Sequence, residues 1–252
     1  MISKIVCPTD YSNNSFNAIK YLKDLAALSN ANIELVHVET PIPHFLSAEK
    51  EDLLQDIKHD KLVLWGNVPN EIVNEITKTH ADLVGMSSIG KNKEENFFIS
   101  KVTLSIVNQS GFPILIIPPD ANFQSFNRFL FVSHLKDQNY LSFRWIAEFI
   151  RPYSGRFEVL YFSEERLKWL DKKEIASNFE SLHHSLKTPP IDVHIRDCKN
   201  VLIQLETFAR EQKADVICIE KSSRIFQMII EQDNVERMPC CTDTPILIVP
   251  TI

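Results

Sequence analysis

The sequence contains no apolar run near the roughly 18 residues that a bilayer span requires, and the opening MISKIVCPTD has no n-region, long h-region or cleavage site. A cytoplasmic protein that keeps off membranes is expected. Basic residues are not in excess: 27 Lys and Arg stand against 33 Asp and Glu, a net charge of −6. Nucleic-acid binding leans on clustered cations against phosphate, so no nucleic-acid partner is expected. The five cysteines (Cys7, Cys198, Cys218, Cys240, Cys241) are odd in number and lack metal-ligand spacing, which argues against a disulfide framework or a bound metal. Glycine is scarce, with five in 252 residues (Gly66, Gly85, Gly90, Gly111, Gly155), and that leaves little for glycine-rich phosphate loops. No Ser or Cys sits in a recognisable nucleophile elbow, and no Ser/His/Asp set can be assembled by spacing, so an enzyme is not expected.

What the chain does have is enough apolar residue for a sizeable core, 44% against 24% charged, spread over both halves. It also has a duplication. Pro113-Ile-Leu-Ile-Ile-Pro118 recurs as Pro245-Ile-Leu-Ile-Val-Pro250, and upstream Ala81-Asp82-Leu83-Val84-Gly85-Met86 is answered by Ala214-Asp215-Val216-Ile217-Cys218-Ile219. The distance between the two landmarks is kept to within one residue, which implies two copies of one fold.

In the first copy, apolar runs at Ile5 to Cys7, Ile33 to Val38, Leu62 to Trp65, Leu83 to Met86 and Ile114 to Ile117 alternate with helical spacing. Phe16, Ile19, Leu22, Leu25 and Ala26 form a stripe behind Ser12, a natural N-cap; Ile72 and Ile76 follow Pro69, which suits a first helical turn. A last helix is predicted from Phe97 to Gln109, stopped by Gly111 and Pro113. The second copy repeats the order with strands at Phe129 to Val132, Glu158 to Phe162, Val193 to Ile195, Val216 to Ile219 and Ile246 to Val249. Strands that are nearly continuous in Val, Ile and Leu belong to parallel sheets covered on both faces. The predicted fold is α/β: two tandem doubly wound, open, parallel five-stranded sheets, residues 1–122 and 123–252.

The order of Ile5-Val6-Cys7-Pro8-Thr9-Asp10, a Ser-bearing helix, an Ala-Asp-Leu-Val strand and a closing Pro-Ile-Leu-Ile-Ile strand resembles the universal stress protein family, more strongly in the first half than in the second. The resemblance implies Rossmann-like copies joined as a pseudo-dimer through their fifth strands, and it is compatible with a homodimer of the whole chain. ATP-binding members carry Gly-x2-Gly-x9-Gly-Ser/Thr between the fourth strand and fourth helix, so that backbone N–H groups approach the phosphates. The matching positions here are Ser87, Gly90, Ser100 and Lys101, with one glycine of three kept and Glu94 and Glu95 between them. The resemblance places Pro8, Thr9 and Asp10, the backbone around Val38, and Met86 at the base and sugar. It thus implies an adenine nucleotide or other small ligand in the first copy, while the lost glycines argue against ATP as that ligand. In the second copy a gapless overlay puts Leu135 at the Asp10 position and Glu220, Ser223, Gln232 and Asp233 at the motif positions, so no ATP is expected there.

Several other features have simpler readings. An Asp after a strand often caps the next turn, as Asp10 would. His183-His184 point about 100° apart on a helix and suit solvent better than a metal. His134 reads as a strand-end histidine, and Cys240-Cys241 as unpaired thiols. The expected function is that of a stress-response regulatory or scaffold protein acting through a protein partner or a small pocket near Asp10. The alternative is an ATP-binding, slowly hydrolysing switch built on Asp10, Gly90, Ser100 and Lys101.

Overall fold

The computed structural model describes residues 2–39, 59–89, 99–134, 140–153, 155–163, 169–186, 191–197, 199–231 and 244–250. The chain divides into two compact units, Met1–Phe123 and Gln124–Ile252. Unit 1 contains β1 (Lys4–Pro8), α1 (Asn13–Ser29), β2 (Asn32–Glu39), β3 (His59–Trp65), α2 (Val68–Thr79), β4 (Leu83–Ser87), α3 (Lys101–Gln109) and β5 (Ile114–Ile117). Its sheet runs β3-β2-β1-β4-β5, every pairing parallel. Unit 2 contains β6 (Arg128–His134), α4 (Tyr140–Ile150), β7 (Arg156–Ser163), α5 (Trp169–Leu186), β8 (Ile191–Asp197), α6 (Val201–Glu211), β9 (Val216–Glu220), α7 (Arg224–Glu231) and β10 (Ile246–Val249). Its order, β10-β9-β6-β7-β8, is that of unit 1 read from the other edge, again all parallel. Each unit is therefore a doubly wound, Rossmann-like parallel sheet.

The central strands are legible because they are apolar and buried. Ile5, Val6 and Cys7, Leu83 and Val84, and Val216 to Ile219 are all inaccessible to solvent. The edge strands run longer than their apolar cores. Pairing with Ile33 to Leu35 extends β3 back to the polar His59, Asp60 and Lys61, and pairing with β7 carries β8 from Ile191 to Asp197. Ser12 caps α1 by accepting from the Ser15 N–H at 3.2 Å, and the predicted stripe Phe16, Ile19, Leu22, Leu25 and Ala26 is buried. In α2, Pro69 falls in the first turn as expected, behind Asn67 as the cap.

The last helix of unit 1 ends at Gln109 as expected. It starts at Lys101, where Ser100 adopts extended backbone and its hydroxyl accepts from Thr103 N–H at 3.1 Å, and Phe97 lies outside the described residues. It ends because Ser110 turns extended, with no left-handed glycine at Gly111.

The repeated Ala-Asp pair has a structural explanation. Asp82 Oδ2 accepts from Ser3 N–H at 2.8 Å, Ser3 Oγ at 2.7 Å and Lys4 N–H at 3.0 Å. In unit 2, Asp215 Oδ2 accepts from Asn127 N–H at 2.6 Å and Arg128 N–H at 2.9 Å. Each carboxylate ties the start of the fourth strand to the start of the first. Partial burial alone would raise the Asp82 carboxyl, but the Ser3 and Lys4 hydrogen bonds outweigh it and hold it below the usual carboxylate range. A lowered carboxyl stabilises the fold above its unfolded-state pKa and loses that contribution as pH falls through the folded value. Asp82→Ala should therefore cost about 1–2 kcal/mol at neutral pH. Urea titrations at pH 7 and pH 3 check this, the wild-type advantage shrinking at the lower pH.

Candidate functional site

Strand order reverses between β1 and β4 in unit 1, and ligands of doubly wound sheets bind outside the carboxyl ends of the strands at such a point. The ladder pairs Ile5 with Leu83 and Val6 with Val84, which sets Pro8 beside Met86 and brings the loop after β1 to the loop after β4. Pro8, Val38 and Met86 are buried, so in these positions the main chain is what borders the site.

The loop after β1 is tightly hydrogen-bonded. Thr9 N–H donates to the Val36 carbonyl at 2.9 Å, carrying the pairing past the strand end. The Thr9 hydroxyl donates to Ser15 Oγ at 3.1 Å and accepts from Tyr11 N–H at 3.1 Å. Asp10 Oδ1 accepts from Ser12 N–H at 2.9 Å, the capping role its position suggested. Between the two, Tyr11 adopts left-handed backbone with φ 55°. A bulky non-glycine residue there is strained, and such strain concentrates at functional sites.

Two residues that the sequence reading missed complete this end. His37, on β2, is 3% exposed, and its Nδ1 lies 2.7 Å from the Thr9 carbonyl oxygen. A carbonyl only accepts, so Nδ1 donates in this contact. The Tyr11 ring lies over His37, centroids 4.6 Å apart, and burial followed by the charge of Glu39 raises the Tyr11 hydroxyl pKa. The one signal in the sequence was a lone histidine in the apolar run Leu35-Val36-His37-Val38.

At the β4 end, the sequence-predicted phosphate positions are engaged with their own backbone. Ser87 Oγ donates to the Ile89 carbonyl at 2.6 Å and lies 3.3 Å from Ile89 N–H. Ser100 N–H donates to the Ser88 carbonyl at 2.7 Å, so the two ends of the 88–100 connection meet. Ser100 Oγ contacts Thr103 Oγ1 at 2.9 Å, and Thr103 Oγ1 reaches the Ser87 carbonyl at 3.2 Å. Lys101 is exposed on the first turn of α3. Gly90, Glu94 and Glu95 lie outside the described residues, as do Cys198, Cys240 and Cys241.

The corresponding point of unit 2 is built differently. Asp215 clamps Asn127 and Arg128 as Asp82 clamps Ser3 and Lys4, and Leu130 faces Glu158 as Val6 faces Glu34. In this register His134, and not Leu135, stands at the Asp10 position; the gapless overlay slipped by one residue. After β9 the chain enters α7 with only residues 221–223 between. Glu220, 2% exposed, accepts from Ser222 Oγ at 2.6 Å, and Ser223, 1% exposed, caps α7 through Phe226 N–H at 3.1 Å. Gln232 and Asp233 follow the helix and lie outside the described residues. A buried carboxylate thus ends the strand where unit 1 has Ser87.

The remaining candidates recede. His183 and His184 sit on α5 with ring centroids 4.9 Å apart, and among the described residues no cluster of His, Cys, Asp or Glu could hold a metal. Cys7 and Cys218 are fully buried, which pushes the Cys7 thiol up to about 12 and the Cys218 thiol up as well. Both are inert as nucleophiles. Among the described residues no helix is long and apolar enough to cross a membrane.

No protein-family model matches the chain. Two universal stress proteins of Methanocaldococcus jannaschii are similar to it: one is 26% identical over 141 residues, covering 46% of this chain and 82% of that protein. The other is 21% identical over 154 residues, covering 46% and 95%. Among solved structures, a universal stress protein from Archaeoglobus fulgidus superposes with a TM-score of 0.70 at 16% identity, covering 98% of both chains, and so shares the fold. Sequence likeness to universal stress proteins over about half of the chain and structural likeness over nearly all of it converge: the chain has the tandem α/β fold that the universal stress protein structure shows, with the same strand order in both units.

Proposed function

We propose that the chain is a stress-response regulatory protein that acts by binding a small ligand or a protein partner at the switch point of unit 1, and that it is not an enzyme. The observation that carries this reading is the asymmetry between the units. Unit 1 keeps Thr9 and Asp10 after β1 and Ser87 at the end of β4, whereas unit 2 has His134 at the Asp10 position and the buried carboxylate of Glu220 at the end of β9. The Ser87 and Ser100 hydroxyls of unit 1 are turned onto their own loops, which disfavours a triphosphate there.

A second reading, an ATP-binding switch, is favoured by one feature: Ser100 and Lys101 do form the amino end of a helix that meets the end of β4. A thermal-shift titration with Mg-ATP separates the two. The binding-protein reading expects a shift below about 1 °C at millimolar ATP. A shift of several degrees that Asp10→Ala or Lys101→Glu removes would establish the switch and overturn the exclusion of ATP.

A further inference from the structure

β3 closes the sheet of unit 1, and among the described residues no strand pairs with its outer edge. An open edge is a row of backbone N–H and C=O groups ready to take another strand, and native proteins blunt it with charge. β8, the edge strand of unit 2, is blunted in that way, its exposed side chains being Asp192, Arg196 and Asp197. β3 is not. Side chains alternate along a strand, so Lys61, Val63 and Trp65 share one face, and there Val63 is 50% exposed and Trp65 73%. Leu62 and Leu64, on the other face, are only half-buried. A valine and a tryptophan thus stand in solvent on an open edge, in the kind of position where β8 carries charge.

We infer that β3 is a self-association edge, which takes β3 of a second copy of the chain in antiparallel register about a two-fold axis at Val63. In that register Val63 faces Val63 of the partner subunit, Lys61 faces the partner's Trp65, and Trp65 faces the partner's Lys61. Directly opposed side chains stand about 5 Å apart at Cβ, which sets a lysine ammonium within reach of an indole, the best aromatic face for a cation. On the other side of the strand Leu62 meets the partner's Leu64, and Asp60 meets the partner's Gly66, so no like charges oppose one another. Moving the axis to Leu62 would set Leu64 against the partner's Asp60, a carboxylate that Asn32 Nδ2 holds at 3.1 Å. The strand is therefore complementary to itself about Val63, and such a contact closes at two copies. Self-association of this kind is independent of any ligand at the switch point of unit 1.

The test is sedimentation velocity of the full chain over a concentration series into the hundreds of micromolar, with a thermal melt of every variant as the control for folding. The wild-type chain should show a reversible monomer–dimer equilibrium. Trp65→Lys sets like charges opposite each other at two places and should weaken the dimer about tenfold. Lys61→Glu added to Trp65→Lys restores opposite charges there and should return the dimer to within about threefold of wild type. Val63→Lys, which brings two ammonium groups together on the axis, gives a second reading of the same edge should Trp65→Lys fail to fold. Ile203→Lys, at an exposed apolar side chain of α6, should leave the equilibrium unchanged. A wild-type chain that stays monomeric throughout, a dimer indifferent to Trp65→Lys and Val63→Lys, or a Lys61→Glu change that does not rescue Trp65→Lys overturns the proposal.

Discussion

Gly85→Ala should destabilise unit 1 by about 2–3 kcal/mol, more than most single-methyl additions. A Cβ on Gly85 would lie 2.4 Å from Leu22 Cδ2, 2.5 Å from Cδ1 and 2.9 Å from Cγ, and Leu22 itself is fully buried in the stripe of α1. The helix rests on β4 through this notch, so either the leucine leaves its rotamer or α1 lifts from the sheet. The partner substitution reports the cause. Leu22→Ala alone opens a cavity and should cost about 2–5 kcal/mol; in the Gly85→Ala background the added methyl fills part of that space. The double variant should fall short of the sum by more than about 1 kcal/mol. Amide exchange of Ile5 to Cys7 and Leu83 to Met86 reads unit 1 separately from unit 2, and additivity within a few tenths of a kcal/mol would remove the steric explanation.

Gly155→Ala is the counterpart in unit 2, and the obstacle there is main chain. Its Cβ would stand 2.7 Å from the Asn127 carbonyl oxygen, 2.8 Å from the Asn127 carbonyl carbon and 2.9 Å from the Phe126 carbonyl oxygen. Arg156 N–H donates to that same Asn127 oxygen at 2.6 Å, so relief of the clash would break the entry into β7. Phe126 also belongs to the ring cluster with Phe129, Phe149 and Tyr153, which leaves little room for adjustment. A loss of about 3 kcal/mol is expected, confined to amides of unit 2. Gly111→Ala is the control: nothing lies within 4 Å of a Cβ there and its backbone is not left-handed, so stability should hold or rise slightly. Equal effects at Gly155 and Gly111 would contradict the close approach.

The sheets were legible in the sequence because parallel strands covered on both faces must be continuously apolar, as Ile5 to Cys7 and Ile246 to Val249 are. The duplicated Ala-Asp pair announced two copies but not its task, since a carboxylate reaching back to the first strand is a long-range contact that spacing does not reveal. Ile99 read as helix from its apolar neighbours, and the Ser100 cap overrode it. Overlaying the halves without gaps misplaced Asp10's counterpart, because the spacing between the copies changes between the second and third strands; the strand ladders identify His134. At the site, Thr9 and Asp10 entered through the family resemblance, which the residues at the end of the first strand carry. His37 and Tyr11 were missed: a histidine in an apolar strand looks like any buried polar residue until the direction of its neighbours is known.

The unequal units carry the functional account, and electron density tests it most directly. Crystals of the full chain, purified from cells without added ligand, should show unassigned density against Thr9, Asp10 and His37 in unit 1, and none at the carboxyl ends of β6 and β9 beside Ser133 and Glu220. Density in unit 2, or a unit 1 switch point filled by its own side chains, would contradict the account.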